Sequence, residues 1–232
     1  MDILMIVTSH GEMGQSGKKT GLWLEELAAP YHEFASYDYN VDIASPRGGE
    51  APIDPRSLAK PSLIAQEFLN DSRCMAKLRE TLPLAKLEGE GARYSGYYVV
   101  GGHGIMWDAP AFEPLQKMLR TALEEGRVVA AVCHGPAALV DIEMPGGRPL
   151  VKGKRLTSFT DEEERELKLD SVVPFMLESR LREQGAIFEN TLPWQECTVQ
   201  DGHLVTGQNP ASAASVARKV ISLLELQFAP TL

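Results

Sequence analysis

The chain has 232 residues, 44% of them hydrophobic and 24% charged, and a net charge of −9 at neutral pH. That length supports one large core, and the acidic balance argues against nucleic acid and against anionic membrane surfaces as partners. Cys74, Cys133 and Cys197 form an odd set without paired spacing, which points to reduced thiols and a cytoplasmic setting rather than a disulfide framework. The apolar N-terminal run is too short to span a bilayer and lacks the flanks of a signal peptide, and no membrane span, repeat or low-complexity segment is expected elsewhere.

Residues 3–8 are a continuous apolar run that drops into Ser9, His10 and Gly11, as a buried strand feeding a loop does. The loop holds Gly17-Lys18-Lys19-Thr20. It fails as a phosphate-binding loop, because Glu12 stands where the first glycine is needed and Lys19 where Ser or Thr must follow the lysine. A helix is expected from Thr20, with Leu22, Trp23, Leu27 and Tyr31 near one face and Pro30 kinking or resetting it. Glu25 and Glu26 lie near its start. They point about 100° apart, so at most one faces an inner pocket; the ordinary role of either is to complement the helix dipole.

Residues 41–45 read as a second strand, followed by a proline-rich acidic loop and then a helical pair or small cap over residues 62–82. Residues 97–100 are a third strand, ending in Gly101-Gly102-His103-Gly104. Two glycines there bring bare backbone N–H groups to the carboxyl edge of a sheet, where they suit a tight turn or a developing oxyanion. Residues 112–125 form an amphipathic helix closed by Gly126.

Residues 128–132, Val-Val-Ala-Ala-Val, are a short buried strand that runs directly into Cys133, His134, Gly135 and Pro136. Strand, sharp turn and helix with a cysteine at the bend is the logic of a nucleophile elbow. A thiol there is expected to have its pKa lowered by the helix end and by the imidazole beside it. The competing reading is a cysteine used as a small core hydrophobe. Thr160 to Glu164 carries a helix-capping signature, Cys197 leads into a hairpin that turns at Asp201-Gly202, and a last helix is expected over residues 213–226. Strands and helices alternate throughout. The fold class is therefore α/β, flavodoxin-like and doubly wound, with a mostly parallel sheet and helices on both faces. Its carboxyl edge collects His10, Gly101 to His103, and Cys133 with His134. The five histidines (10, 32, 103, 134 and 203) show no ligand spacing that argues for a metal.

The segments around Glu25-Glu26, DIASPRGG with a following PIDP, GGHG, AAVCHGPAAL, LTSFTDEEE and LVTGQNPASA resemble the ThiJ/PfpI superfamily, relatives of class I glutamine amidotransferases. Within it the chain is similar to the heat-shock-associated, glutathione-independent glyoxalases. The resemblance implies a single domain over residues 1–232 with a cap-like insertion at about 50–90. It places the nucleophile on Cys133, the histidine on His134 and the helix glutamate on Glu26. The residue that orients the histidine falls on Glu164, with Glu163 close, and the oxyanion and substrate contacts fall on Gly102, His103 and His134. It implies conversion of methylglyoxal to lactate, as in a glyoxalase III (D-lactate dehydratase), without a cofactor. The thiol forms a hemithioacetal, Glu26 shuttles a proton and His134 acts as base. Alternatives on the same fold are a protein deglycase, a holding chaperone and an oxidative-stress protein. The partners implied are a small reactive aldehyde and a second copy of the chain, in the cytoplasm. The distant His-x-Glu pair of the amidotransferases is absent, since the tail reads GQNPAS, which disfavours hydrolysis of glutamine.

Overall fold

A computed structural model describes residues 1–87, 89 and 93–228. Its spine is a seven-stranded sheet. In chain order the strands are β1 (Asp2–Ile6), β2 (Asn40–Ser45), β3 (Leu82–Pro83), β4 (Gly96–Val99), β5 (Val128–Val132), then the later pair β10 (Thr198–Asp201) and β11 (Leu204–Gly207). The spatial order is β10-β11-β5-β4-β1-β2-β3, parallel except where β10 closes a hairpin on β11. Two two-stranded pieces lie outside it: β6 (Glu143–Met144) with β7 (Arg148–Pro149), and β8 (Arg155–Leu156) with β9 (Ile187–Phe188).

The apolar runs are continuous because both faces of the sheet are covered. Strand period two then sorts the residues. Ile3, Met5, Tyr98, Val128, Ala130 and Val132 join one core cluster, with α1 (Leu24–Ser36) and, at the chain's end, α8 (Ala213–Gln227). Leu4, Ile6, Tyr97, Val99, Val129 and Ala131 join the other, with α5 (Glu113–Glu124) and α7 (Leu177–Glu183). The chain moves outward from β1 to β3 and returns beside β1 on its other edge as β4. The order therefore reverses between β1 and β4, and a ligand crevice belongs at such a switch point, beyond the carboxyl ends of the strands. The crossover after β1 leads into α1, and the turn after β4 carries Gly101 to His103.

Between residues 50 and 87 lie a 3-10 turn (Pro55–Leu58), α2 (Leu63–Asn70), α3 (Ser72–Arg79) and the edge strand β3; of the expected insertion, residues 88 and 90 lie outside the described residues. α2 packs on α1. The short helices α4 (Ile105–Asp108) and α6 (Asp161–Glu166) follow β4 and β8.

Three local expectations are corrected. The first helix starts at Leu24, not Thr20. Residues 20–23 are extended, because Leu22 gives its N–H to Pro52 O at 2.9 Å and accepts from Asp54 N at 2.9 Å. Pro30 does not reset α1, which runs on as one helix to Ser36 with Leu27, Ala28 and Phe34 anchored in the core. The segment after Cys133 is only a 3-10 turn, Gly135–Leu139, because the chain leaves helical geometry at Val140 (ψ 138°).

Candidate active site

Cys133 sits at the end of β5 with φ +58°, a left-handed conformation that costs a non-glycine residue roughly 1–2 kcal/mol. Backbone bonds on both sides hold it there. Its N–H donates to Gly207 O at 2.8 Å, and its carbonyl accepts from Phe159 N at 2.8 Å. The side chain is 4% exposed.

Two acids and two imidazoles converge on it. Glu26, on α1, is fully buried, and neither carboxylate oxygen has a hydrogen-bond partner of good geometry. The Cys133 thiol and the Gly101 backbone are the polar groups beside it. Gly101 is glycine for this reason: a Cβ there would lie 2.2 Å from Glu26 Oε2, 2.5 Å from Val132 O and 2.9 Å from Cys133 Cβ. Gly102 has φ +102°, and a Cβ on it would lie 2.4 Å from both Gly21 O and Trp23 N. Of the adjacent glutamates, Glu25 points elsewhere and accepts from the Ser62 hydroxyl.

On the other flank, His134 Nδ1 is 3.2 Å from Cys133 Sγ and His134 Nε2 is 2.8 Å from Glu164 Oε2. The second Glu164 oxygen, Oε1, is 2.8 Å from His103 Nε2. The ring of His134 packs against two others, 4.0 Å from His103 and 4.3 Å from Phe159, centroid to centroid. Glu163 has a different task. It completes a capping box with Thr160 and accepts from Trp194 N at 2.8 Å, Asn209 Nδ2 at 2.9 Å and Gln208 Nε2 at 3.2 Å. Successive helical residues point about 100° apart, so one glutamate of the run meets the histidines while its neighbour ties down the terminal Gln208-Asn209. His10 lies outside this network; its ring stacks on Trp107 at 5.2 Å.

The electrostatics correct one expectation. Burial pushes the Cys133 thiol well up from its ordinary value, and the neighbouring Glu26 and Glu163 charges add to this against the His134 N–H. Burial against acids thus favours the neutral thiol, and the turn behind it is too short to supply an opposing helix dipole. Burial likewise holds the Glu26 carboxyl well above the usual range, with the Cys133 thiol and the Gly101 backbone opposing. With both raised, each group holds its proton more tightly than it would in water, and the pair titrates in coupled steps. Burial would raise Glu164 too, but the charge of His134 and hydrogen bonds from both histidines hold it low, as a carboxylate. His103 is depressed to about 4 by burial and by His134, so it is neutral.

One donor atom from each of His103, His134 and Glu164 lies within 4.8 Å of the others, a clustering that sequence spacing did not reveal. Each imidazole Nε2 is committed to a Glu164 oxygen, so the trio is a hydrogen-bond network whose lone pairs do not face a common centre. Sequence reasoning also missed Arg56 and Asp54. Arg56 Nη2 is 3.0 Å from His103 Nδ1, and the guanidinium forks onto Asp54 at 3.0 and 2.6 Å. The quoted PIDP segment was the available signal.

The DJ-1/PfpI family model matches residues 20–223. Glutathione-independent glyoxalase HSP31 of Saccharomyces cerevisiae is 34% identical, over 96% of this chain and 98% of its own. The crystal structure of glyoxalase III from Candida albicans superposes with a TM-score of 0.86 at 32% identity, covering 96% of both chains. Rapid Encystment Protein 24 KDa of Francisella tularensis superposes at 0.93 with 36% identity, covering 96% of this chain and 98% of its own. With a family match over most of its length and full-length relatives above 30% identity, the chain belongs to the DJ-1/PfpI family.

Proposed function

We propose that the protein is a glutathione-independent glyoxalase that converts methylglyoxal to D-lactate, with Cys133, His134, Glu26 and Glu164 as its machinery. The observation that carries this reading is Glu26. A fully buried carboxyl with no hydrogen bond of good geometry, set against a cysteine thiol and the Gly101 backbone, is poised to carry a proton. The relatives named as glutathione-independent glyoxalases support the same chemistry.

The steps follow from the positions. The thiol adds to the aldehyde carbon as its proton passes through His134 Nδ1 to the carbonyl oxygen, giving a hemithioacetal. Glu26, a stronger base than an ordinary carboxylate once ionised, removes the hydrogen from that carbon and returns it to the neighbouring carbon through an enediol. His134 carries the hydroxyl proton from the first oxygen to the second, while Glu164 holds its tautomer and stabilises the imidazolium. The Gly102 and His134 amides face the developing oxyanion. Water hydrolyses the resulting thioester to lactate and frees the thiol. The reading takes a small aldehyde as substrate, a homodimer in the cytoplasm as the working form and residues 50–90 as a cap-like insertion. No helix among the described residues is long and apolar enough to cross a membrane.

The test is lactate formation from methylglyoxal, without glutathione, by the native protein, Cys133→Ala and Glu26→Gln. The native protein should turn over and both variants should be silent. Turnover by Cys133→Ala would sink the covalent route.

A further inference from the structure

We infer that Arg56 is a positioning residue: clamped by Asp54, it fixes the tautomer of His103, and through His103 and Glu164 it fixes the face that His134 turns to the Cys133 thiol. The kinetic part of this inference rests on the glyoxalase reading above.

The sequence makes the clamp locally. In Asp54-Pro55-Arg56 the proline occupies the first position of a 3-10 turn, and the Asp54 side chain caps that turn by accepting from Arg56 N at 2.9 Å. The same carboxylate takes both Nε and Nη2 of Arg56, and Thr20 Oγ1 donates to it at 2.9 Å. Asp54 is fully buried. Burial would raise its pKa, but the hydrogen bonds and charge of Arg56 and the Thr20 hydroxyl outweigh this and hold it low. The guanidinium also lies over the Trp23 ring at 5.8 Å. A planar fork held this way has its remaining donors aimed.

The aim has a chemical consequence. A guanidinium has only donors, so His103 Nδ1, 3.0 Å from Nη2, must accept. The His103 proton is then on Nε2, which donates to Glu164 Oε1 at 2.8 Å. The other Glu164 oxygen accepts from His134 Nε2–H at 2.8 Å, which leaves the lone pair of His134 Nδ1 facing Sγ at 3.2 Å. One donor at the edge of the site thereby sets the protonation pattern of four groups in line. The outer side of Arg56 borders a cavity of about 620 Å³ that Trp23, Lys60 and Pro210 also line, so the line begins at the solvent boundary.

The charged and titratable groups that face His103 are Glu164 from α6, His134 from the turn after β5 and Arg56, with Asp54 behind it. Burial is the largest influence that keeps His103 neutral; the proximity of the His134 ring, which disfavours charge on both, and more weakly the charge of Arg56 act in the same direction. Without Arg56 the Nδ1 lone pair is free to take a proton. An imidazolium at Glu164 Oε1 would then compete with His134 for the carboxylate and weaken its support of the His134 imidazolium during turnover.

The test compares full-length native protein, Arg56→Met, His103→Gln and the double variant. We expect Arg56→Met to lower kcat about tenfold on the acid side of the profile, with KM little changed, and to move the acid limb toward neutral pH. In the His103→Gln background, which lacks the titrating ring, the same Arg56 change should leave that limb where it stands. Nitrogen-15 spectra of the native protein should show His103 Nδ1 unprotonated and Nε2 protonated. An unmoved acid limb in folded Arg56→Met, an equal shift in the His103→Gln background, or a proton on His103 Nδ1 would each overturn the inference. Should Arg56→Met fail to fold, Arg56→Lys keeps the charge, loses the fork and gives the same comparison. The nitrogen-15 arm needs no turnover, so failure of the glyoxalase reading is told apart by native protein that makes no lactate yet shows the expected tautomer.

Discussion

Glu26 and Cys133 come from elements that follow different strands, and they meet across a single missing methyl group: a Cβ on Gly101 would lie 2.2 Å from the carboxylate of one and 2.9 Å from the Cβ of the other. That relationship brings together a buried carboxyl and a buried thiol that each resist ionisation.

Gly101→Ala tests the packing directly. The added methyl also lies 2.5 Å from Val132 O, a backbone atom that cannot swing aside. We expect about 1–3 kcal/mol of destabilisation, in line with overpacked cores, read as a lower urea midpoint, together with loss of lactate formation. Near-native stability and activity would mean that Glu26 is free to move away.

Glu26→Gln tests the electrostatics. Glu26 raises the pKa of the Cys133 thiol, so an uncharged amide should lower it. Thiolate absorbance, or the pH dependence of alkylation by iodoacetamide, should show the Cys133 transition at lower pH than in the native protein. Lactate formation should fall below detection, a loss of about two to four orders of magnitude or more, as for removal of a general acid or base. A thiol transition that moves upward contradicts the assignment.

The same carboxyl predicts a pH dependence of stability. Its folded pKa lies above the unfolded value of 4.5, chiefly through burial. The folded state therefore holds the proton more tightly, and Glu26's contribution is fully present below the unfolded pKa and lost as pH rises through the folded one. Glu26→Gln cannot ionise, so its Tm should exceed that of native protein near neutrality, and the difference should shrink as pH falls toward 4.5 and level off below it. A constant difference across that range would show that Glu26 is ionised without penalty.

Glu163 and Glu164 should separate stability from activity. Glu163→Ala removes a capping partner and one acceptor each from the buried Gln208 and Asn209 amides, which we expect to cost about 2–4 kcal/mol in chemical denaturation. Glu164→Gln keeps the size and one acceptor but removes the charge that faces His134. It should stay folded and lose most of kcat. The reverse pattern would reassign the two residues.

The fold was legible because its central strands are buried on both faces and read as apolar runs, free of charge in residues 96–99 and 128–132, and because glycines and prolines punctuate them. The elbow at Cys133 was readable for the same reason, and so was the capping run after Thr160. The start of the first helix was misplaced because Leu22 has helical spacing in the sequence, while its backbone is used to pair with the loop at Ile53. Which of Glu163 and Glu164 meets the histidines depends on helix phase relative to a turn 30 residues earlier. The Arg56–His103 contact spans 47 positions and joins two loops. No local pattern carries such a pairing. The state of the thiol was misjudged from proximity to an imidazole alone, because burial against a second acid is a tertiary fact.

The central claim is that Glu26 moves a hydrogen between the two carbons of a Cys133-bound substrate. Methylglyoxal deuterated at the aldehyde carbon, given to the native protein in ordinary water and followed in single turnover, tests it most directly. The account predicts a primary isotope effect on lactate formation in native protein, no turnover with Glu26→Gln, and a Cys133-linked adduct that accumulates in that variant by mass spectrometry. Lactate formed by Glu26→Gln at the native rate, with the same isotope effect, would contradict it.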